Sequence, residues 1–398
     1  MAKLPAITVP PQLKERLAQG HPWIYRDKLP ADVHFTTGEW VRVRCGNWSG
    51  FGLWDNKGPI ALRIFSQRQL PDPRWLHNRV QAAWELRSPL REQHCTTYRW
   101  LFGEGDGLPG ITVDLYGEVA VVQTYMESAT VLLDWLVNAL RTIAPLRGIL
   151  WRTQHSEVRE DNYSSPDSKT QLLWGEAPAA DLVVKEHGLL FQVNLQAGQK
   201  TGLFLDHREN RRFVGELSRG KTVLNCFAYT GAFSLYALRG GASHVTSVDI
   251  GKHLAAVAEA NLRLNGLAGD RHTFVTADCF DLLQRYGQER RTFDMVILDP
   301  PSFAKSKQNR FAAIRAYTKL NALALSCVAP HGLLVSASCT SQVSPEAFKD
   351  MLASAGSISD RRLQILHEAG QPLDHPVPAA FPEGRYLKFV VSHVSPPE

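Results

Sequence analysis

Two short runs carry the chemistry most open to inspection. Asp299-Pro300-Pro301-Ser302-Phe303 and Ser338-Cys339-Thr340 each follow an apolar stretch, Met295 to Leu298 and Gly332 to Ser336. Two prolines lock φ and make the first run a rigid loop. Asp299 can then accept a hydrogen bond from the amino or ring group of a nucleobase. The second run offers a thiol, and a thiolate is a strong nucleophile. If the two apolar stretches are neighbouring strands, Asp299 and Cys339 face one crevice. Phe303 either stacks on an extruded base or packs into the core.

Three further positions suit a nucleoside. The run Asn225-Cys226-Phe227-Ala228-Tyr229-Thr230-Gly231-Ala232-Phe233-Ser234 is a small-residue turn that lets backbone approach a ligand before a helix begins. Asp249 stands eighteen residues beyond Gly231, where a carboxylate accepts from both ribose hydroxyls. Asp278 can accept from an adenine amino group; either aspartate also fits a helix N-cap. A dinucleotide dehydrogenase would place an acid like Asp249 too, but its Gly-x-Gly-x-x-Gly turn is missing, since only Gly231 is present.

These residues need an open α/β sheet, in which ligands bind outside the carboxyl ends of the strands. After Gly220 short apolar strands alternate with helical patterns: Val223 to Cys226, Val245 to Val248, Phe274 to Thr276, Met295 to Leu298 and Gly332 to Ser336. Leu254, Val257, Ala258 and Leu262 mark one helix face, stopped by Asn265-Gly266. Ahead of this, Glu39 to Phe65 alternates and turns like a small β-barrel. Pro71 and Pro73 break the chain before the helical spacing of Trp75 to Leu86. The middle region mixes strands, Ile111 to Asp114 and Val119 to Thr124, with a helix over Ala129 to Ile143. Glu157 to Lys169 reads as a surface loop. A hairpin around Glu186-His187-Gly188 places the last boundary near Val183.

At 398 residues, 44% hydrophobic and 21% charged, the chain has room for two or three full cores. Its six cysteines show no C-x-x-C pair, so a metal site is not expected and a reduced, cytoplasmic setting is. No run of 18 apolar residues would span a bilayer, and no membrane partner is expected. Residues 1–70 hold ten Lys/Arg against five Asp/Glu, an excess equal to the +5 of the whole chain. Such a polarised charge fits a phosphate-backbone reader or a solvated surface.

The same segments resemble a known family nearly end to end. The matching stretches are His21-Pro22-Trp23, the Asp106 to Asp114 run, Gly198 to Asp206 with Arg208, Asn225 to Ser234, Leu298 to Lys305, Ser338-Cys339, Asp374-His375-Pro376 and Phe381 to Lys388. Together they are similar to the bacterial large-subunit ribosomal RNA cytosine-5 methyltransferases. The resemblance implies a class I, Rossmann-like methyltransferase domain at residues 184–398. Before it would come a β-barrel PUA domain at 1–72 that binds RNA and an α+β middle domain at 73–183. It implies S-adenosylmethionine as cofactor, held by Gln199, Lys200, Thr201, Phe204, Asn225, Phe227, Tyr229, Thr230, Gly231, Asp249, Asp278 and Asp299. Substrate RNA would meet Pro300, Pro301, Phe303 and Arg208. Lys200 and Arg208 suit RNA phosphates or a salt bridge equally. The turn departs from a generic methyltransferase in opening with Asn225 and keeping only Gly231.

Carbon 5 of cytosine needs a thiolate at carbon 6 before it can attack a methyl group, so the resemblance makes Cys339 the nucleophile, with Cys226 its rival. Asp299 would hold the base, while the group that removes the carbon-5 proton is not identified. The target base must leave its stack, which favours loops or an unassembled particle over free duplex. Two other readings compete. Methylation at a ring or exocyclic nitrogen needs no cysteine, and an RNA-binding assembly factor would hold the cofactor without transferring its methyl. One chain's sequence leaves the assembly state, homodimer included, open.

Overall fold

The strand Thr222–Cys226 reads Thr-Val-Leu-Asn-Cys, and every residue after the first is buried. Parallel strands covered on both faces show such runs in place of alternation. The computed structural model describes residues 4–153, 170–195, 203–303 and 309–396. These fall into two units: Met1–Lys185, Val193–Leu205 and Leu373–Gly384 in the first; Glu186–Gln192, Asp206–Pro372 and Arg385–Glu398 in the second.

The second unit is built on seven strands: β1 (Thr222–Cys226), β2 (His244–Asp249), β3 (His272–Thr276), β4 (Phe293–Leu298), β5 (Val328–Ser338), β6 (Leu363–Ala369) and β7 (Lys388–Val394). Their order across the sheet is β3-β2-β1-β4-β5-β7-β6. β1 to β5 run parallel. β7 runs antiparallel to both its neighbours. Among the described residues, α1 (Arg208–Leu217) leads into the sheet, and α2 (Ala232–Arg239), α3 (Leu254–Leu264), α4 (Cys279–Gln288), α5 (Arg310–Leu325) and α6 (Pro345–Ile358) lie between its strands. Their starts follow local chemistry. Gly231 precedes α2 in the left-handed region, at φ +80°. Asp278 caps α4, and Ser344 caps α6 ahead of Pro345.

Leu224, Val248, Val296, Leu298 and Leu334 of the sheet share one core with Leu283 of α4, Leu320 of α5 and Phe348 of α6. Truncating any such leucine to alanine costs about 2–5 kcal/mol. That core fixes the strand register, and the register fixes the site.

The first unit holds two five-stranded sheets. One orders Ala6–Thr8, Trp40–Cys45, Trp48–Trp54, Ile60–Ser66 and Trp23–Tyr25, around a core that includes Ile24, Val41, Val43 and Leu62. The other orders Thr170–Gly175, Gly148–Thr153, Val119–Thr124, Ile111–Tyr116 and Thr97–Phe102. Residues Leu53 and Phe65 of the first sheet join the core of the second with Leu76 and Val80. The two prolines at 71 and 73 therefore break the chain without separating two bodies.

Some expectations are corrected. The helix expected from Ala129 starts as a 3-10 turn, Glu127–Leu132, and becomes α-helical only over Leu133–Ile143. The first segment of the first unit ends at Lys185, two residues past the boundary expected near Val183, and Val193–Leu205 and Leu373–Gly384 group with the same unit. The surface loop expected at Glu157 to Lys169 lies outside the described residues.

Candidate active site

The parallel register lines up Cys226 with Val248 and with Leu298, and Leu298 with Ser336. The next residues along the chain are Phe227 and Asp299, just past β1 and β4, and Asp249, the last residue of β2, so the three stand in one row at the carboxyl edge of the sheet. β5 runs on to Ser338 and delivers Cys339 at the same edge. The sheet thereby brings Asp299 and Cys339 to the ends of adjacent strands.

The turn after β1 is strained where a ligand would need its backbone. Phe227 and Tyr229 adopt φ +59° and +49°, uncommon for residues with a Cβ. A bond from Gly231 N–H to the Ala228 carbonyl, 2.8 Å, closes the turn. Asp249 braces it: Oδ2 accepts from Tyr229 N–H at 2.9 Å and Oδ1 from Gly251 N–H at 3.0 Å. The buried carboxylate keeps further lone pairs for hydroxyl donors. Thr230 is buried, and its carbonyl accepts from Asn261. An open-backed turn, a carboxylate at the second strand and an acid at the fourth form the donor and acceptor set that a bound nucleoside requires.

Asp278 is exposed and is the N-cap of α4, its Oδ1 accepting from Phe280 N–H and Asp281 N–H. Both of the roles expected for it stay compatible with that position, since Oδ2 takes neither bond.

Several of the expected contact residues have protein partners of their own. Asn225 is fully buried and spends its amide on Ser234 Oγ at 2.9 Å, in a chain that continues to Ser247 and His272. His272 is kept neutral, lowered to about 4 chiefly by burial and then by His244, so the chain is an uncharged brace under the turn. Arg208 is buried and pairs with Glu209 at 3.1 Å, which fits the salt-bridge reading and gives no surface to a phosphate. Phe303 leans on Tyr317, ring centroids 4.7 Å apart, and on Phe280, so it packs as core. Pro300 is buried, while Pro301 is exposed. Phe204 falls in the first unit. Gln199, Lys200 and Thr201 lie outside the described residues.

Among the cysteines, Cys45, Cys95, Cys226, Cys279 and Cys327 are buried and Cys339 is half-buried. Cys279, and after it burial, pushes the Cys226 thiol well above its usual range, which disfavours the thiolate there.

Two neighbours went unread in the sequence. His207 is buried with Nε2 3.3 Å from Asp299 Oδ1. Burial alone would lower its imidazole, but Asp299 and then Asp206 outweigh it, and the ring titrates above its usual value. Lys388, the first residue of β7, is buried beside the turn that holds Cys339, and burial lowers its amine to about 8. Both sit in segments visible as motifs, Phe204 to Arg208 and Tyr386 to Lys388, but neither motif says which side chain turns inward.

Comparison with known proteins agrees with this geometry. Residues 99–367 match the model of the S-adenosylmethionine-dependent methyltransferases and residues 7–67 that of the PUA-like domain. A ribosomal RNA large subunit methyltransferase I from Shewanella amazonensis is 36% identical, covering 98% of this chain and 99% of its own. One of the same name from Aeromonas salmonicida is 35% identical over 95% and 96%. A solved structure from Streptococcus mutans, assigned to the same methyltransferases, superposes with TM-score 0.84 at 23% identity, covering 98% of this chain and all of that one. A second, a methyltransferase complexed with S-adenosylhomocysteine, reaches 0.86 at 24% identity over the same shares. Sequence likeness over almost the whole length, and a fold that gathers Asp249 and Asp299 at its strand ends, lead to one conclusion: the chain belongs to the S-adenosylmethionine-dependent methyltransferases with a PUA-like domain, the family of the ribosomal RNA large subunit methyltransferases I.

Proposed function

We propose that the protein methylates carbon 5 of a cytosine in large-subunit ribosomal RNA through a covalent adduct with Cys339. The observation that carries this reading is the delivery of Asp299 and Cys339 to the same edge by neighbouring parallel strands, β4 and β5. The names of the full-length relatives supply the substrate class.

The Phe227 to Gly231 turn, Asp249 and Asp278 would hold S-adenosylmethionine, with Gln199, Lys200, Thr201 and Phe204 as proposed further contacts. When bound, the cofactor supplies an electrophilic methyl group. Cys339 gives up its proton and adds to carbon 6, which moves an electron pair onto carbon 5. Asp299, with the His207 imidazole beside it, holds the amino or ring-nitrogen edge of the base during that addition. Carbon 5 takes the methyl group, a base removes its proton, and the carbon–sulfur bond breaks to release Cys339 as thiolate. The base lies flipped out of its stack, so single-stranded or unassembled RNA is the substrate.

RNA would also be met by the first unit. In Trp40–Cys45 the side chains alternate, Val41 and Val43 inward and Arg42 and Arg44 exposed. Two guanidinium groups on one outward strand face suit a phosphate backbone.

Labelled S-adenosylmethionine and unmodified large-subunit RNA, with nucleoside analysis of the product, test the proposal. Labelled 5-methylcytosine that disappears with Cys339→Ala supports it. Label on a nitrogen, or full activity in the variant, sinks the covalent route; no transfer at all leaves a binding factor.

A further inference from the structure

The strand register places a buried amine at the root of the Cys339 turn. The Cα of Lys388 pairs with that of Ser338, the last residue of β5. Its Nζ donates to the Thr340 carbonyl and, at 2.8 Å, to the Tyr386 carbonyl. The residues on both sides of Cys339 are thus tied to Lys388, one through the ladder and one through the side chain. Only 5% of Lys388 is exposed.

Carbonyls satisfy the donors of an ammonium but bring no charge, and a buried cation without an opposite charge costs several kcal/mol. The groups facing it decide what the charge is for. Cys339 is the neighbour whose negative form works against the lowering of the amine by burial. On α5, the Tyr317 hydroxyl accepts a hydrogen bond from Ser338 at 3.1 Å, and burial pushes it up so that it stays protonated. At the end of β4, Asp299 has His207 at 3.3 Å. Two residues before β7, the Tyr386 hydroxyl donates to Asp206 at 2.7 Å. Of these, the sulfur of Cys339 is the atom whose chemistry gains from a fixed cation.

We infer that Lys388 is a positioning residue whose ammonium holds Cys339 as a thiolate, ready to add to its substrate. This rests on the function proposed above. The proton of the thiol goes to solvent, and no other bond changes.

Iodoacetamide alkylation of the intact protein, monitored across pH with peptide mapping of Cys339, tests this without RNA or cofactor. The five other cysteines are buried, so Cys339 is read cleanly. In the wild type the alkylation midpoint should fall below the value of a free cysteine, about 8.5. Lys388→Gln, which can still donate to both carbonyls, should raise the midpoint by about one unit or more and slow alkylation at neutral pH by about tenfold. Lys388→Arg, which keeps the charge, should hold it low. A wild-type midpoint at or above the free value overturns the inference even if no variant folds, and so does an unchanged midpoint in Lys388→Gln. A low midpoint combined with an active Cys339→Ala enzyme would instead remove the covalent route while leaving the ion pair intact.

Discussion

The imidazole of His207 stands with Nε2 3.3 Å from Oδ1 of Asp299 and Nδ1 3.1 Å from the amide nitrogen of Asn210. Phe233 and Phe389 meet the ring at centroid distances of 5.5 and 6.1 Å. The ring is therefore enclosed by Asn210 and two phenylalanines, with Nε2 facing the carboxylate that would hold a base.

That relationship sets a pH dependence. Burial opposes the charge on His207, Asp299 and Asp206 favour it more, and the net shift is upward from 6.5. A raised folded value means the stabilisation is complete below about pH 6.5 and is lost as pH rises through the folded value. Asp299→Asn should lower the titration of the ring, monitored by NMR. Its stability deficit against the wild type should be larger at about pH 5.5 than at about pH 9. A deficit that grows toward high pH would contradict the pairing.

Asp249 binds two backbone amides of its own chain before any ligand arrives. Asp249→Asn keeps one oxygen but sets an amide donor against one of those N–H groups. Calorimetric affinity for S-adenosylhomocysteine should fall about tenfold or more, and the fold should lose about 1–3 kcal/mol. Unchanged affinity would assign the carboxylate to the turn alone.

Gly231 must hold φ +80°, and an added Cβ would lie 3.3 Å from Cβ of Ala258 on α3. Gly231→Ala should cost about 1–2 kcal/mol in urea unfolding, from the left-handed backbone before any packing strain. Gly231→Asn should cost less in backbone terms, because Asn tolerates that region better.

Behind α1, Glu186 accepts from Arg211 at 2.7 and 2.8 Å, and from the Tyr236 hydroxyl at 3.0 Å, with both ion-pair partners buried. Glu186→Ala strands a buried guanidinium and should cost about 3–5 kcal/mol, read as a lowered melting temperature. Adding Arg211→Met should return much of that loss. A double variant as unstable as the single one would mean that packing, not charge, is at stake.

The ligand edge was legible because it needs only the strand ends and the residue directly after each of them. Asp249 and Asp299 are each one residue past an apolar run, and the register sets them in one row. The features that escaped depend on contacts distant along the chain. Asn225 looks like a ligand-facing polar residue until Ser234, Ser247 and His272 are seen to use it. For Arg208 the sequence left an RNA phosphate and a salt bridge equally open, and only the burial of its guanidinium beside Glu209 favours the second. The start of the helix after Met126 was missed because a 3-10 turn and an α-turn share one apolar pattern and differ by one residue in hydrogen-bond spacing.

The order of the last three strands has a consequence for how the protein is made. β6 precedes β7 in the chain, yet β7 lies between it and β5. A ribosome adding about 5–20 residues per second therefore completes β5 and β6 while they have no strand to join them. Until β7 inserts, β5 shows an open hydrogen-bonding edge and Cys339 lacks the neighbour carried on that strand, Lys388. The strand that closes the sheet also brings the amine, so on the inference above the thiol of Cys339 would gain its activating neighbour only when β7 inserts.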